Sequence, residues 1–170
     1  YALGDIHYSE GMHDDFNKWF WYRMLWNPNQ DAESITKEYC RYWFGPDAQD
    51  DVAQAIFFME ETLEKPVVDN PGIATAVDLL RAAKSKIPEN LLTIDYRWRI
   101  MMEKALMDRY IQLELQRGHD LEQHASEILK NIDASPDPSQ DVEKALAIVH
   151  LPVVTGEMKA VLEEAHHVGE

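Results

Sequence analysis

The sequence has little that could cross-link it, carry it through a membrane or attach it to a nucleic acid. It contains one cysteine, Cys40, which excludes an intrachain disulfide and a zinc site built from several cysteines. No apolar run approaches the roughly 20 residues that span a bilayer, so no membrane span is predicted. Lys and Arg total 16 against 31 Asp and Glu, a formal net charge of −15. Because nucleic-acid affinity comes from basic side chains that neutralise phosphates, we expect no nucleic-acid partner.

Metal ligands in a usable arrangement are also scarce. The Gly-Asp-Ile-His sequence at residues 4–7 resembles the first metal-binding strand of metallophosphoesterases, in which an Asp and a His two residues apart face one side. That family also requires later Gly-Asp-x-x-Asp and Gly-Asn-His motifs, which this sequence lacks. We therefore predict no metal at Asp5 and His7 and no cofactor. The remaining candidates are predicted to be surface histidines: His119, His124, His166 and His167.

From residue 14 onward the apolar residues recur at helical spacing, and no alternating run indicates a sheet. The pattern predicts an all-α fold, an irregular bundle of six to eight helices behind a short extended N-terminal segment. We divide the chain into an extended lead, residues 1–11, and a helical domain, residues 12–170. Asp31 and Gly45 are predicted to begin and end the second helix, and Pro46 to open the third. A long pattern from Glu89 is expected to kink or break at residues 118–120.

Aromatic residues are concentrated between Trp19 and Phe44. On the first helix they form two adjacent stripes, which predicts a helix buried over much of its circumference. Aromatic residues at helical spacing are usually core residues. A platform on which sugars stack is the alternative, and some rings of the same set would then project toward a substrate cleft. Cys40 lies in this segment and is predicted to be a small buried hydrophobe.

The segment before the first helix has the most specific pattern in the chain. The Tyr-Ser-Glu-Gly sequence at residues 8–11 is followed by Asp14 and Asp15. A glutamate at the end of an extended segment, followed by glycine and a capped helix, is how a β/α barrel presents a residue at its active face. The alternative is that Glu10 only caps the first helix or forms a salt bridge with it.

Three stretches together resemble a family of large bacterial glycoside-hydrolase-like proteins. They are residues 8–18, residues 25–28 (Leu-Trp-Asn-Pro) and residues 38–46, where an aromatic pair precedes Gly-Pro. The family is similar in architecture to α-glucuronidases and β-N-acetylhexosaminidases, with a (β/α)8 barrel followed by a helical C-terminal region. The resemblance covers about half of the chain well, and the other half by helical layout only.

The resemblance implies a carbohydrate-active enzyme whose catalytic barrel lies upstream in the same polypeptide. Residues 1–11 would be the last barrel strand and its exit loop, and the chain, which begins at Tyr1 rather than Met, would be a fragment. Tyr8, Glu10 and Asp14 are the candidate sugar-binding residues, and no catalytic acid, base or nucleophile is assigned. A periplasmic or extracellular location is implied, and the fragment alone is not expected to hydrolyse glycosides.

A free-standing helical interaction module is the alternative, with the aromatic faces serving as a groove for a partner. The two hypotheses differ in what the genomic reading frame should contain. Several hundred upstream residues with βα alternation favour the enzyme, whereas a Met shortly before Tyr1 favours the free-standing module.

Overall fold

The computed structural model describes residues 8 and 14–169, and these residues form α-helices joined by short loops, with no β-strand among them. This confirms the predicted all-α fold. Eight α-helices and one turn of 3-10 helix, Ile132–Ala134, occur in the described part of the chain. The α-helices are α1 (Asp15–Trp26), α2 (Ala32–Phe44), α3 (Gln49–Glu61), α4 (Pro71–Lys84), α5 (Glu89–Ile94), α6 (Tyr96–Lys130), α7 (Pro138–Val149) and α8 (Gly156–Gly169).

The predicted ends of α2 are confirmed by its capping contacts. Asp31 Oδ1 accepts a hydrogen bond from the backbone N–H of Ser34 at 2.8 Å, which satisfies a donor that the helix itself leaves unpaired. Gly45 follows the last residue with a φ of 90°, a conformation that side chains with a Cβ rarely adopt. The prediction that Pro46 opens α3 is wrong, because α3 begins three positions later at Gln49, after a turn.

The core lies between α2, α3, α4 and the first half of α6. Fully buried side chains from these helices meet in one cluster: Cys40, Phe44, Val52, Ala55, Val77, Leu80, Ala83, Met102, Ala105 and Leu106. Val161 of α8 joins the cluster, so the C-terminal helix packs on the same core. Cys40 has no exposed surface, which confirms its prediction as a buried residue.

A buried amide links α6 to the loop that joins α3 and α4. The Gln112 side chain is 2% exposed, and its Nε2 donates to the carbonyls of Val67 at 2.9 Å and Asn70 at 2.7 Å. One turn further on, Gln116 Nε2 donates to the carbonyl of Val68 at 2.6 Å. Loop carbonyls that lack helical partners are thus satisfied by side chains of the helix opposite.

The first helix is more exposed than its sequence predicts. No residue of α1, all of which the structure describes, is fully buried. Phe16 and Trp19 pack against the core cluster, whereas Trp21, Tyr22, Leu25 and Trp26 are 51%, 50%, 48% and 88% exposed. The prediction of burial over much of its circumference is therefore wrong, because the described bundle covers only the Phe16–Trp19 side.

The long helix breaks at its start and not at its glycine. The chain turns at Asp95, whose backbone leaves helical geometry and whose carboxylate accepts from the N–H of Arg97 at 2.8 Å. The helix then continues through Gly118 to Lys130, so the break predicted as one outcome at residues 118–120 is wrong. A single glycine inside a helix costs only about 1 kcal/mol, which the packing of a long helix outweighs.

The extended lead predicted for residues 1–11, including the assignment as a last barrel strand, lies outside the described residues except for Tyr8. Among the helices of residues 14–169, none combines the length and apolar character needed to cross a membrane.

Candidate functional site

The three predicted sugar-binding residues fall at or before the start of α1. Tyr8 is 81% exposed, and Glu10 lies outside the described residues. Asp14 occupies the N-cap position of α1 without accepting a hydrogen bond there from the helix backbone. Its Oδ1 instead lies 3.4 Å from the Nδ2 donor of Asn17. The Asp14 side chain thus does not cap the helix.

A charged network lies directly beside Asp14, in the first turn of α1. The Oδ2 atom of Asp15 accepts a hydrogen bond from the hydroxyl of Tyr39 at 2.8 Å and a second, short one from Nε of Arg97. These residues belong to α1, α2 and α6 respectively. One carboxylate oxygen therefore joins three helices at the point where the described helical domain begins.

The guanidinium group of Arg97 contacts two aromatic rings and a carboxylate. Its Cζ atom lies 3.5 Å from the ring centre of Trp43 and 4.4 Å from that of Tyr96. Nη1 lies 3.5 Å from Oδ1 of Asp95, and the Arg97 side chain is only 15% exposed. Arginine suits such a site because its planar cation stacks on aromatic rings while its edge pairs with carboxylates.

The protonation states in this network favour binding and orientation over proton transfer. Burial, together with the hydrogen bond to Asp15, raises the pKa of Tyr39 above its ordinary value, so the phenol remains a hydrogen-bond donor at neutral pH. Burial acts to lower the pKa of Arg97, but the hydrogen bond and charge of Asp15 outweigh it and raise that pKa. Tyr39 and Arg97 therefore do not supply an acid or base near neutrality.

The exposed rings of α1 form one continuous surface, which we call the outer aromatic face. It consists of Trp21, Tyr22, Leu25 and Trp26, which share one side of the helix because positions four apart lie above one another. On the neighbouring helix, the 68% exposed Tyr42 packs between Trp19 and Trp43, with ring centres 5.5 Å and 4.9 Å away. Large exposed apolar patches usually mark interaction sites.

Hydrogen bonding is less complete around α1 than in most of the described bundle. Five buried side-chain donors among the described residues have no acceptor, and three of them, Trp19 Nε1, Arg23 Nε and Trp43 Nε1, belong to α1 and α2. A buried donor without a partner costs about 1–3 kcal/mol. The α1–α2 region is therefore a place where an additional surface with carbonyl or hydroxyl acceptors would stabilise the protein.

Two grooves lie beside the C-terminal helix α8. The larger, of about 790 Å³, has Leu92 and Trp98 in its lining and Glu163, Glu164 and His167 among its polar residues. Trp98 is 2% exposed, so it does not present a ring face on which a sugar could stack. The smaller groove, of about 250 Å³, is lined by two ion pairs, Arg81 with Glu164 and Arg109 with Glu157.

The predicted surface histidines are confirmed, since His119, His124, His166 and His167 are all exposed. Asp5 and His7 lie outside the described residues. Within residues 14–169, no group of three or more His, Cys, Asp or Glu side chains lies close enough to hold a metal ion. Burial raises the pKa of the Cys40 thiol to about 12, so this thiol is not an activated nucleophile.

Sequence reasoning singled out Asp14 but missed the network beside it. Asp15 and Arg97 are 82 positions apart, and although Asp15 belongs to the local pattern of residues 8–18, Arg97 belongs to no motif. The available signal was weak: an arginine directly after an aromatic residue and a capping aspartate, at residues 95–97. That pattern predicts a helix start, but it does not indicate which carboxylate the arginine meets.

Comparison with known proteins leaves the site's assignment to its own geometry. No protein-family model matches the chain, and neither a curated protein nor a solved structure shows significant similarity to it.

Proposed function

We propose that this chain is the C-terminal helical region of a carbohydrate-active enzyme, an O-glycosyl hydrolase. In this proposal the bundle packs on a catalytic barrel that precedes it in the same polypeptide and forms part of a sugar-binding cleft. The proposal starts from the resemblance of residues 8–18, 25–28 and 38–46 to glycoside-hydrolase-like proteins. The outer aromatic face of α1 is the structural observation that supports it most directly.

The position of this face suits a preceding domain. Trp21, Tyr22, Leu25 and Trp26 lie on the first described helix, so a domain that ends just before residue 14 would be tethered beside them. A tether raises the effective concentration of the two surfaces, so even a modest interface would be occupied. Docking would also bring acceptors to side-chain donors such as Trp19 Nε1 and Trp43 Nε1, since interface side chains commonly change rotamer on binding.

The cleft itself would be formed where the two parts meet, at the start of α1. Tyr8, Glu10 and Asp14 would contribute hydroxyl and carboxylate groups to sugar binding. Aromatic rings stack on the apolar faces of sugar rings, and Tyr42 and Trp26 are exposed enough to do so. Glycoside hydrolysis needs two carboxyl groups about 5–10 Å apart, and the proposal leaves at least one of them to the barrel.

The genomic reading frame provides the first test, and kinetics of the whole polypeptide provide the second. Several hundred upstream residues with alternating strand and helix patterns are expected. In that polypeptide, Glu10→Gln should lower kcat/KM on aryl glycosides by about tenfold or more, since a charged hydrogen bond to the sugar is weakened.

Asp120→Asn, on the exposed part of α6, is the matched control and should leave kcat/KM unchanged. Unaltered kinetics of Glu10→Gln with a lower melting temperature would contradict the proposal, because Glu10 would then only support the entry into α1. A Met codon shortly before Tyr1 would contradict it as well and would favour the free-standing interaction module.

A further inference from the structure

The start of α1 is held to the bundle with little help from burial. None of its residues, over Asp15–Trp26, is fully buried. Phe16 and Trp19 contact the bundle edge-on through Tyr39, with ring centres 5.1 Å and 5.9 Å away. A helix with so little buried surface is free to open locally while the remaining structure stays folded.

Asp15 provides the polar attachment of the first turn of α1, and Arg23, two turns further on, pairs with Glu38 of α2 at 2.8 Å. Its carboxylate, 25% exposed, accepts from the Tyr39 hydroxyl of α2 and from Arg97 of α6 through the same oxygen. Hydrogen bonds to a charged group are roughly twice as strong as neutral ones, and more so away from water. The first turn of α1 is therefore fixed by the residue that directly follows Asp14.

Arg97 is rigid enough to determine where that carboxylate lies. Its guanidinium contacts the rings of Trp43 and Tyr96 and lies beside Asp95. Asp95 is itself fixed, since it accepts from the backbone N–H of Arg97 at the start of α6. Groups whose own rotamers are locked by packing and hydrogen bonds are the ones that can hold a neighbouring site in a defined geometry.

We propose that Arg97 is a positioning residue: through the Asp15 carboxylate it fixes the first turn of α1, and with it Asp14. The positioning of α1 follows from the contacts of the described residues alone. Its use, the placement of Asp14 in a sugar cleft, rests on the proposed function.

Arg97→Lys in the 170-residue chain is the variant that tests the positioning. Lysine keeps the positive charge but loses the planar fork and the planar contact with the Trp43 and Tyr96 rings. We expect amide hydrogen exchange over Asp15–Trp26 to become about tenfold faster or more, because opening of α1 then breaks fewer charged contacts. Exchange in α3 and α4 should stay unchanged, since the hydrogen bonds of the network join α1, α2 and α6.

Arg81→Lys is the matched control. Arg81 also pairs with a carboxylate through two of its nitrogens, Nε and Nη2 to Glu164, but it joins α4 to α8. It should leave exchange in α1 at the original rate. Asp15→Asn provides a second variant should Arg97→Lys fold poorly, because the amide keeps an acceptor for Tyr39 while losing the charge; it should loosen α1 in the same selective way.

A uniform rise in exchange over all helices would overturn the proposal, since Arg97 would then support overall stability and position nothing. Unchanged exchange in α1 for both variants would overturn it as well. If α1 loosens selectively while Arg97→Lys leaves kcat/KM of the whole polypeptide intact, the positioning of α1 is supported and the sugar-cleft function fails.

Discussion

The layer formed by α2, α3 and α4 and the single helix α1 are held in place by different forces. In the layer, side chains such as Val52, Leu80 and Ala83 have no exposed surface, and apolar burial provides the stabilisation. In α1, ring edges, one shared carboxylate and the Arg23–Glu38 ion pair hold a helix whose outer aromatic face is exposed. A helix whose outer side is exposed in this way is suited to being an interface.

The largest effect that separates the two regions is expected for Leu80→Ala. Leu80 is fully buried in the layer, and the substitution removes apolar contacts and leaves a cavity, at a cost of about 2–5 kcal/mol in the free energy of unfolding. Urea denaturation followed by circular dichroism measures this loss. Leu63→Ala, at a leucine that is 78% exposed, is the control and should change the free energy by less than about 0.5 kcal/mol. Equal losses for the two variants would mean that burial does not determine stability in the layer.

The second, intermediate effect is a loss of stability at alkaline pH, which tests how completely Cys40 of α2 is buried in the layer. In the folded protein the buried Cys40 thiol keeps its proton up to a pKa of about 12, against an ordinary value of 9.0. Unfolding therefore releases a proton between these values. The stabilisation is fully present below about pH 9 and falls as pH rises, by up to about 1.4 kcal/mol per pH unit.

Between pH 8.5 and 10, where the thiol ionises only in the unfolded chain, the urea midpoint of the original chain should thus fall more steeply than that of Cys40→Ala. Below the ordinary pKa of Tyr39, which is 10.0, the phenol contributes little to the difference. Parallel curves for the two proteins would show that water reaches Cys40 in the folded state and that α2 is not the tightly buried wall of the layer.

The smallest effect is expected on the outer aromatic face. Trp26 is 88% exposed, so Trp26→Ala should change the free energy of unfolding by less than about 0.5 kcal/mol. Urea denaturation of the 170-residue chain measures this. A loss above about 1 kcal/mol would mean that the ring contacts the bundle; the outer face would then be needed for folding, and its assignment as a docking surface would fail.

Local patterns predicted those features that depend on neighbours in sequence. The all-α fold, the Asp31 cap and the Gly45 stop follow from spacing and residue type. The exposure of α1 did not, because helical periodicity identifies an apolar stripe without indicating whether anything covers it. The predicted break at residues 118–120 also failed, since contacts along a long helix outweigh the propensity of one glycine.

In the candidate site too, the sequence indicated the residue in a local pattern and missed the one that depends on distant contacts. Asp14 was found because it belongs to a local pattern with Glu10 and a helix start. Arg97 was not, because its role depends on Asp15, Trp43 and Tyr96 meeting in space. The roles of Tyr8, Glu10 and Asp14 in sugar binding stay predictions, and Glu10 lies outside the described residues.

The amide contacts of α6 have a consequence for how this chain can vary in length. Three carbonyls of the α3–α4 loop, those of Val67, Val68 and Asn70, accept hydrogen bonds from Gln112 and Gln116. One inserted residue between Val67 and Asn70 would shift those carbonyls by about 3.5 Å, more than a hydrogen bond can stretch. The hydrogen bonds from α6 therefore restrict the length of this loop. Insertions or deletions are expected to accumulate at connections whose backbone is not bonded to another helix.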